Sequence, residues 1–121
     1  MEIRKAKMET QTVLMKQIES YIEERYQDSS FSLVEIADYF GYTPSHMSKL
    51  ISQNMNQSFS EILQEKRLNY TKNCLINTNK PIAQIAQEAG YTNISNFTRR
   101  FKSSENITPG QYRNLYYQKE Q

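Results

Sequence analysis

Apolar residues return every three or four positions along most of this chain, and the phase breaks at a handful of turn residues. Val13, Leu14, Gln17-Ile18, Tyr21-Ile22 and Arg25 keep helical spacing, so residues 10–27 read as an amphipathic first helix ending before Asp28-Ser29-Ser30. Residues 1–9 lack a clear period and read as a flexible start or a linker remnant. Leu33, Ile36, Ala37 and Phe40 line one face of a short second helix, capped by Ser32 with Glu35 completing a capping box. Gly41 follows where a left-handed turn is needed. Thr43 as N-cap and Pro44 at the first helical position restart a helix whose buried stripe is Met47, Leu50 and Ile51.

Ser58, with Glu61 three residues on, opens a longer helix to about Asn77. Its apolar positions, Phe59, Ile62-Leu63, Tyr70, Cys74 and Leu75, change face along its length, as a rigid bridge between two packed units requires. Asn77-Thr78-Asn79-Lys80-Pro81 breaks the pattern. Ile82, Ile85, Ala86 and Ala89 then point inward from a helix opened by Pro81-Ile82, Gly90 turns, and Asn93 to Glu105 forms a helix burying Phe97 and Phe101. Asn106 suits a left-handed stop, and Thr108 caps a last helix through Pro109, Tyr112, Leu115 and Tyr116.

The second stretch repeats the first. Ile36-Ala37 and Gly41-Tyr42-Thr43 recur about 49 positions later as Ile85-Ala86 and Gly90-Tyr91-Thr92. With one extra residue in the later copy, Met47 aligns with Phe97, Ile51 with Phe101, Asn56 with Asn106 and Phe59 with Pro109. Each copy reads as helix, tight turn, helix, a device for entering a DNA groove. The expected architecture is all-α, with seven helices forming two helix-turn-helix subdomains, residues 10–57 and 78–121, joined by a linker helix over 58–77. A bridge of fixed length can hold two recognition helices about one duplex turn, ~34 Å, apart.

Composition narrows the function classes. Three glycines and three prolines in 121 residues are too few for a turn-rich β protein. Cys74 is the only thiol, which excludes an intrachain disulfide and a cysteine metal cage and fits a reducing cytoplasm. Neither a signal core nor an apolar run of about 18 residues is present, so no membrane partner is expected. Residues 1–65 carry six bases against ten acids, a balance of −4, whereas residues 66–121 carry nine against three, +6. The second half is the one that attracts phosphate.

From Val13 to Arg113 the chain resembles the DNA-binding domain of AraC/XylS transcription regulators. The resemblance is most specific in Ile82-Ala83-Gln84-Ile85-Ala86-Gln87-Glu88-Ala89-Gly90-Tyr91, in Asn96-Phe97-Thr98-Arg99-Arg100-Phe101-Lys102 and in Ile107-Thr108-Pro109-Gly110-Gln111-Tyr112-Arg113. Arg67-Leu68 is similar to the family's linker helix, while Asn56 and Asn106 stand where the family usually has Gly, Ser52 where Lys is common and Thr71 where Ala is common. The resemblance implies recognition helices at Pro44 to Met55 and Asn93 to Glu105, entering successive major-groove segments of a site of roughly 20 base pairs. It implies base-facing positions at Ser45, Ser48 and Lys49 and at Ser95, Asn96 and Arg99, all off the apolar stripes. Arg99 suits bidentate contact with guanine, and Asn96 the edge of adenine.

Arg100, Lys102 and Arg113, with helix starts near Ser32, Thr43, Ile82 and Thr108, suit phosphate contact. His46, the sole histidine, falls at a helix start and joins that set. Cys74 reads as a small core residue, and Tyr112, Tyr116 and Tyr117 as packing residues before base-stacking ones. No paired carboxylates, phosphate loop or metal set argues for an enzyme, and no cofactor is expected. The expected function is sequence-specific binding of double-stranded DNA in a transcriptional activator. The resemblance further implies contact with RNA polymerase and an effector or dimerisation domain on a preceding part of a longer chain. The alternative is a helical protein-interaction module that acts as an anti-activator of related regulators, favoured by the acidic first half.

Overall fold

The computed structural model describes the backbone of residues 2–117 and the side chains of residues 10–117. Seven helices follow in order: α1 (Glu2–Arg25), α2 (Leu33–Phe40), α3 (Pro44–Met55), α4 (Phe59–Asn77), α5 (Ile82–Ala89), α6 (Ile94–Glu105) and α7 (Pro109–Tyr116). No strand occurs among the described residues, and the fold is all-α as expected. Helix begins at Glu2, so the flexible start expected for residues 2–9 is replaced by the first turns of α1; Met1 lies outside the described residues. The chain divides into two compact units, the first made of Met1–Arg25 and Phe31–Leu63, the second of Tyr26–Ser30 and Gln64–Gln121.

In the first unit Met15, Ile18 and Ile22 of α1 pack with Phe31, with Ile36 and Ala37 of α2, with Met47 and Ile51 of α3 and with Phe59, Ile62 and Leu63 of α4. Val13, expected in the α1 stripe, is 54 % exposed, and Met15 takes the inward position. The spacing from Met15 to Ile18 to Ile22 is what one helical face demands. The carboxylate of Glu35 accepts from Arg25 at 2.8 Å and from the Tyr21 hydroxyl at 3.0 Å, joining the end of α1 to the start of α2. That pair is about one-third exposed, so its contribution stays under ~1 kcal/mol and Phe31, edge-on to Phe59 at 5.3 Å, carries more of the packing.

The second unit has a core of Cys74, Leu75, Ile85, Ala86, Phe97 and Phe101, flanked by Leu68, Tyr70, Ile82, Tyr91 and Tyr112. Tyr112 meets Phe101 edge-on at 5.4 Å. Beyond it the last helix departs from expectation: Leu115 is 67 % and Tyr116 51 % exposed, and Tyr116 packs only one ring against Tyr112 at 4.8 Å.

A cation is buried in this unit. Arg67 of α4 donates through Nε to the carbonyl of Tyr26 at 2.8 Å and through Nη2 to that of Asp28 at 3.1 Å, with the Tyr91 ring 5.9 Å from its guanidinium carbon. These carbonyls follow the last turn of α1. Gln27 adds a bond from its side-chain amide to the carbonyl of Glu88 at 3.0 Å. The segment Tyr26–Ser30, which lies between α1 and α2 in the chain, is thereby fastened to α4 and α5. Thr71, fully buried, returns its hydroxyl to the Arg67 carbonyl at 2.8 Å and leaves no unmet donor.

Gly90 closes this arrangement. Its φ is +109°, and a Cβ there would lie 2.7 Å from Arg67 Nε and 2.9 Å from the Tyr26 carbonyl oxygen. Gly41, the counterpart in the first unit, has φ +77° but open space around it. Substitution to alanine should therefore cost about 1–2 kcal/mol at Gly41, the left-handed penalty alone, and roughly 3 kcal/mol or more at Gly90, where overpacking adds to it. Urea unfolding of the two variants measures the difference; equal losses would show that the Arg67 contact tolerates displacement. Arg67→Lys, which keeps a charge but not the two-pronged donor, should cost about 2 kcal/mol in the same assay, and a variant as stable as the parent would mean that the fork does not hold the loop.

Candidate nucleic-acid interface

Both helix-turn-helix units are built by the same local chemistry. At the end of α2, Gly41 adopts a left-handed conformation while its amide reaches the Asp38 carbonyl at 3.2 Å and that of Tyr42 the Ala37 carbonyl at 2.9 Å. At the end of α5, Gly90 bonds Gln87 at 3.1 Å and Tyr91 bonds Ala86 at 3.0 Å. These paired bonds satisfy the last carbonyls and turn the chain sharply into the next helix. Thr43 then caps α3, its hydroxyl oxygen accepting from the His46 amide at 3.1 Å, and Asn93 caps α6, accepting from the Asn96 amide at 2.9 Å. At the far ends Asn56 (φ +56°) and Asn106 (φ +69°) supply the left-handed stops.

The buried pairs Met47 and Ile51, and Phe97 and Phe101, fix the rotation of α3 and α6 about their axes. That leaves Ser45, His46, Ser48 and Lys49 exposed on α3, and Ser95, Arg99, Arg100 and Lys102 exposed on α6. Asn96 differs from its neighbours: it is half-buried, and its side-chain oxygen accepts from Arg99 Nη2. On α3 the aligned His46 instead packs edge-on against Tyr42 at 4.8 Å. Lys49 is the only Lys or Arg of α3, whereas α6 carries three and its single acid, Glu105, is drawn aside to Lys72 at 3.5 Å.

The positions expected to meet phosphate divide into two kinds. Arg100 and Lys102 are exposed. Helix α5 starts at Ile82 behind Pro81, which makes no side-chain cap bond, so its first-turn amides receive none from the N-cap position. The hydroxyl oxygens of Ser32, Thr43 and Thr108 accept from the amides of Glu35, His46 and Gln111, at 3.3, 3.1 and 3.1 Å, and keep only their hydrogen to donate outward. Thr108 also gives its amide to the Gln111 side chain at 2.9 Å, closing a capping box. Arg113 is redirected: Nε donates to the Leu75 carbonyl and Nη2 to that of Thr78, each at 3.2 Å. A cation over the C-terminal carbonyls of α4 satisfies groups left open there and meets the negative end of the helix dipole. Two of the donors expected to meet phosphate are thus turned to the end of α4.

Glu88 is a junction that spacing did not reveal. Its carboxylate accepts from Gln84 and Lys80 at 3.0 Å and from the Tyr70 hydroxyl at 3.1 Å. The Gln84 hydrogen bond first, then Lys80, holds this carboxyl below the usual range, while burial raises the Tyr70 hydroxyl. A lone acid in residues 66–104 was the available signal.

Residues 36–115 match the family model described as a helix-turn-helix domain. The chain is 38 % identical over 86 residues to the uncharacterized HTH-type transcriptional regulator YtdP of Bacillus subtilis, covering 71 % of this chain and 11 % of that protein. It thus spans about a tenth of that relative's length. Among solved structures, the C-terminal domain of the two-component response regulator yesN from Fusobacterium nucleatum aligns with TM-score 0.81 and 30 % identity, over 83 % of this chain and 97 % of that one. A transcriptional regulator with an AraC-type DNA-binding domain from Chromobacterium violaceum aligns with TM-score 0.74 and 25 % identity, over 95 % and 99 %. With two capped helix-turn-helix units and these likenesses, the chain belongs to the AraC-type family of helix-turn-helix transcription regulators, of which it is a DNA-binding domain.

Proposed function

We propose that the chain is the output module of a bacterial transcriptional activator, with α3 and α6 reading base edges in the major groove. The observation that carries this is the outer face of α6, where Arg99, Arg100 and Lys102 stand exposed on a helix whose rotation is fixed by Phe97 and Phe101. Arg99 takes guanine, with Ser95 beside it; Ser45, Ser48 and Lys49 take the corresponding places on α3. Arg100, Lys102, His46, the first amides of α5 from Ile82, and the outward hydroxyls of Ser32, Thr43 and Thr108 bind phosphate and set register. The fragmentary coverage of YtdP, and the origin of the Fusobacterium domain at the end of a response regulator, support a place in a longer protein. Sensing or dimerisation then resides in another segment, and RNA polymerase is the partner through which bound DNA is read out.

The units contribute unequally. Among the described side chains, α1 to α3 offer exposed Lys16 and Lys49 against exposed Glu19, Glu23, Glu24 and Asp38, and the basic cluster is on α6. The same acidity supports a second reading, in which the first unit meets another regulator and the protein acts as an anti-activator. Selection from a random duplex library at low salt separates the two, since a protein that only binds proteins enriches no motif.

Each phosphate neutralised contributes about 0.9 to the slope of log affinity against log salt. Arg100→Ala with Lys102→Ala should flatten that slope by about 1.8, and Lys49→Ala by less than ~1. A larger flattening from Lys49→Ala would place the electrostatic anchor in the first unit instead.

A further inference from the structure

We propose that Asn96 is a positioning residue for Arg99 and does not itself read a base; this rests on the reading of α6 as a recognition helix. The two residues are three apart on one helical face, where side chains meet. Arg99 Nη2 donates to the Asn96 side chain. Arginine has no acceptor, so the atom it meets must be the amide oxygen, whichever way that amide is drawn. Asn96 is itself held: its backbone amide is tied to the Asn93 cap at 2.9 Å, its side chain is half-buried, and the adjacent Phe97 is 1 % exposed.

Reading adenine needs both ends of the carboxamide, the oxygen for the exocyclic amine and the nitrogen for N7. In this structure the oxygen is turned along the helix toward Arg99, so one of those ends is aimed away from a base. Reading guanine needs two parallel N–H groups from a planar fork. One hydrogen spent on Asn96 leaves four on the guanidinium and narrows the rotamers of a long side chain before DNA arrives. The aligned pair on α3 lacks this device: His46 leans on the Tyr42 ring, and Lys49 offers a point charge without a fork. Guanine selection is therefore a property of the second unit, and it depends on two residues.

The test is selection from random duplexes with the parent, Arg99→Ala, Asn96→Ala and Asn96→Asp, each first shown to melt cooperatively near the parent temperature. The parent should enrich guanine at one position, and Arg99→Ala should abolish that enrichment. Asn96→Ala should weaken it at the same position, from tens-fold to a few-fold, without relaxing any other. Asn96→Asp keeps the acceptor for Arg99 but cannot donate to N7, so guanine should be retained there while overall affinity falls through phosphate repulsion. If Asn96→Ala relaxes a different position and leaves guanine untouched, Asn96 reads a base and the proposal is overturned. Should Arg99→Ala change no position, the proposal falls together with the role given to Arg99, an outcome distinct from the loss of Asn96 coupling alone.

Discussion

The second unit is organised around a charge largely withdrawn from water. Arg67 is 8 % exposed, and burying a guanidinium is unfavourable unless its donors are met. Here two backbone carbonyls beyond the end of α1 meet them, and the Tyr91 ring supplies a polarisable face. Desolvation lowers the affinity of Arg67 for its proton, yet a guanidinium remains charged at any pH at which the protein folds. Around this group the choices narrow: Gly90 must lack a side chain, Thr71 must consume its own hydroxyl, and the carbonyl of Glu88 is taken by Gln27.

The two helix-turn-helix corners are braced differently. The α2–α3 corner needs only the left-handed freedom of Gly41, since nothing crowds it, whereas the α5–α6 corner also needs a close approach between backbone and guanidinium at Gly90. The corner with the tighter packing carries the helix with three bases, and the looser one carries the helix with a single lysine. Rigid support beneath the more strongly charged face is useful, because directional base contacts gain from preorganised donors more than nonspecific phosphate contacts do.

Much of the architecture was legible in the sequence, for identifiable reasons. Thr43-Pro44, Ser58 with Glu61, and Thr108-Pro109 mark helix starts by local chemistry, and each caps as its residue type dictates. Asn56 and Asn106 are left-handed, as asparagine in place of glycine allows. Periodicity located Met47, Ile51, Phe97 and Phe101, and with them the exposed faces of α3 and α6. What escaped were the single long-range contacts. Arg113 looked like a surface base because its partners, Leu75 and Thr78, are separated from it by two helices. Arg67 and Glu88 sit within regular helices, where a charged residue at one position leaves no periodic trace of the carbonyl or hydroxyl it will meet. The contact between Asn96 and Arg99 also went unseen, since a residue at the boundary of buried and open surface gives no hint of which way its amide turns.

The five residues Tyr26–Ser30 have a bearing on how the protein must be handled. They are encoded before α2 yet pack in the unit that resumes at Gln64, so that unit is discontinuous in the polypeptide. No single scission separates it from the first unit: a fragment starting at Gln64 would keep the guanidinium of Arg67 and leave behind the oxygens that meet it.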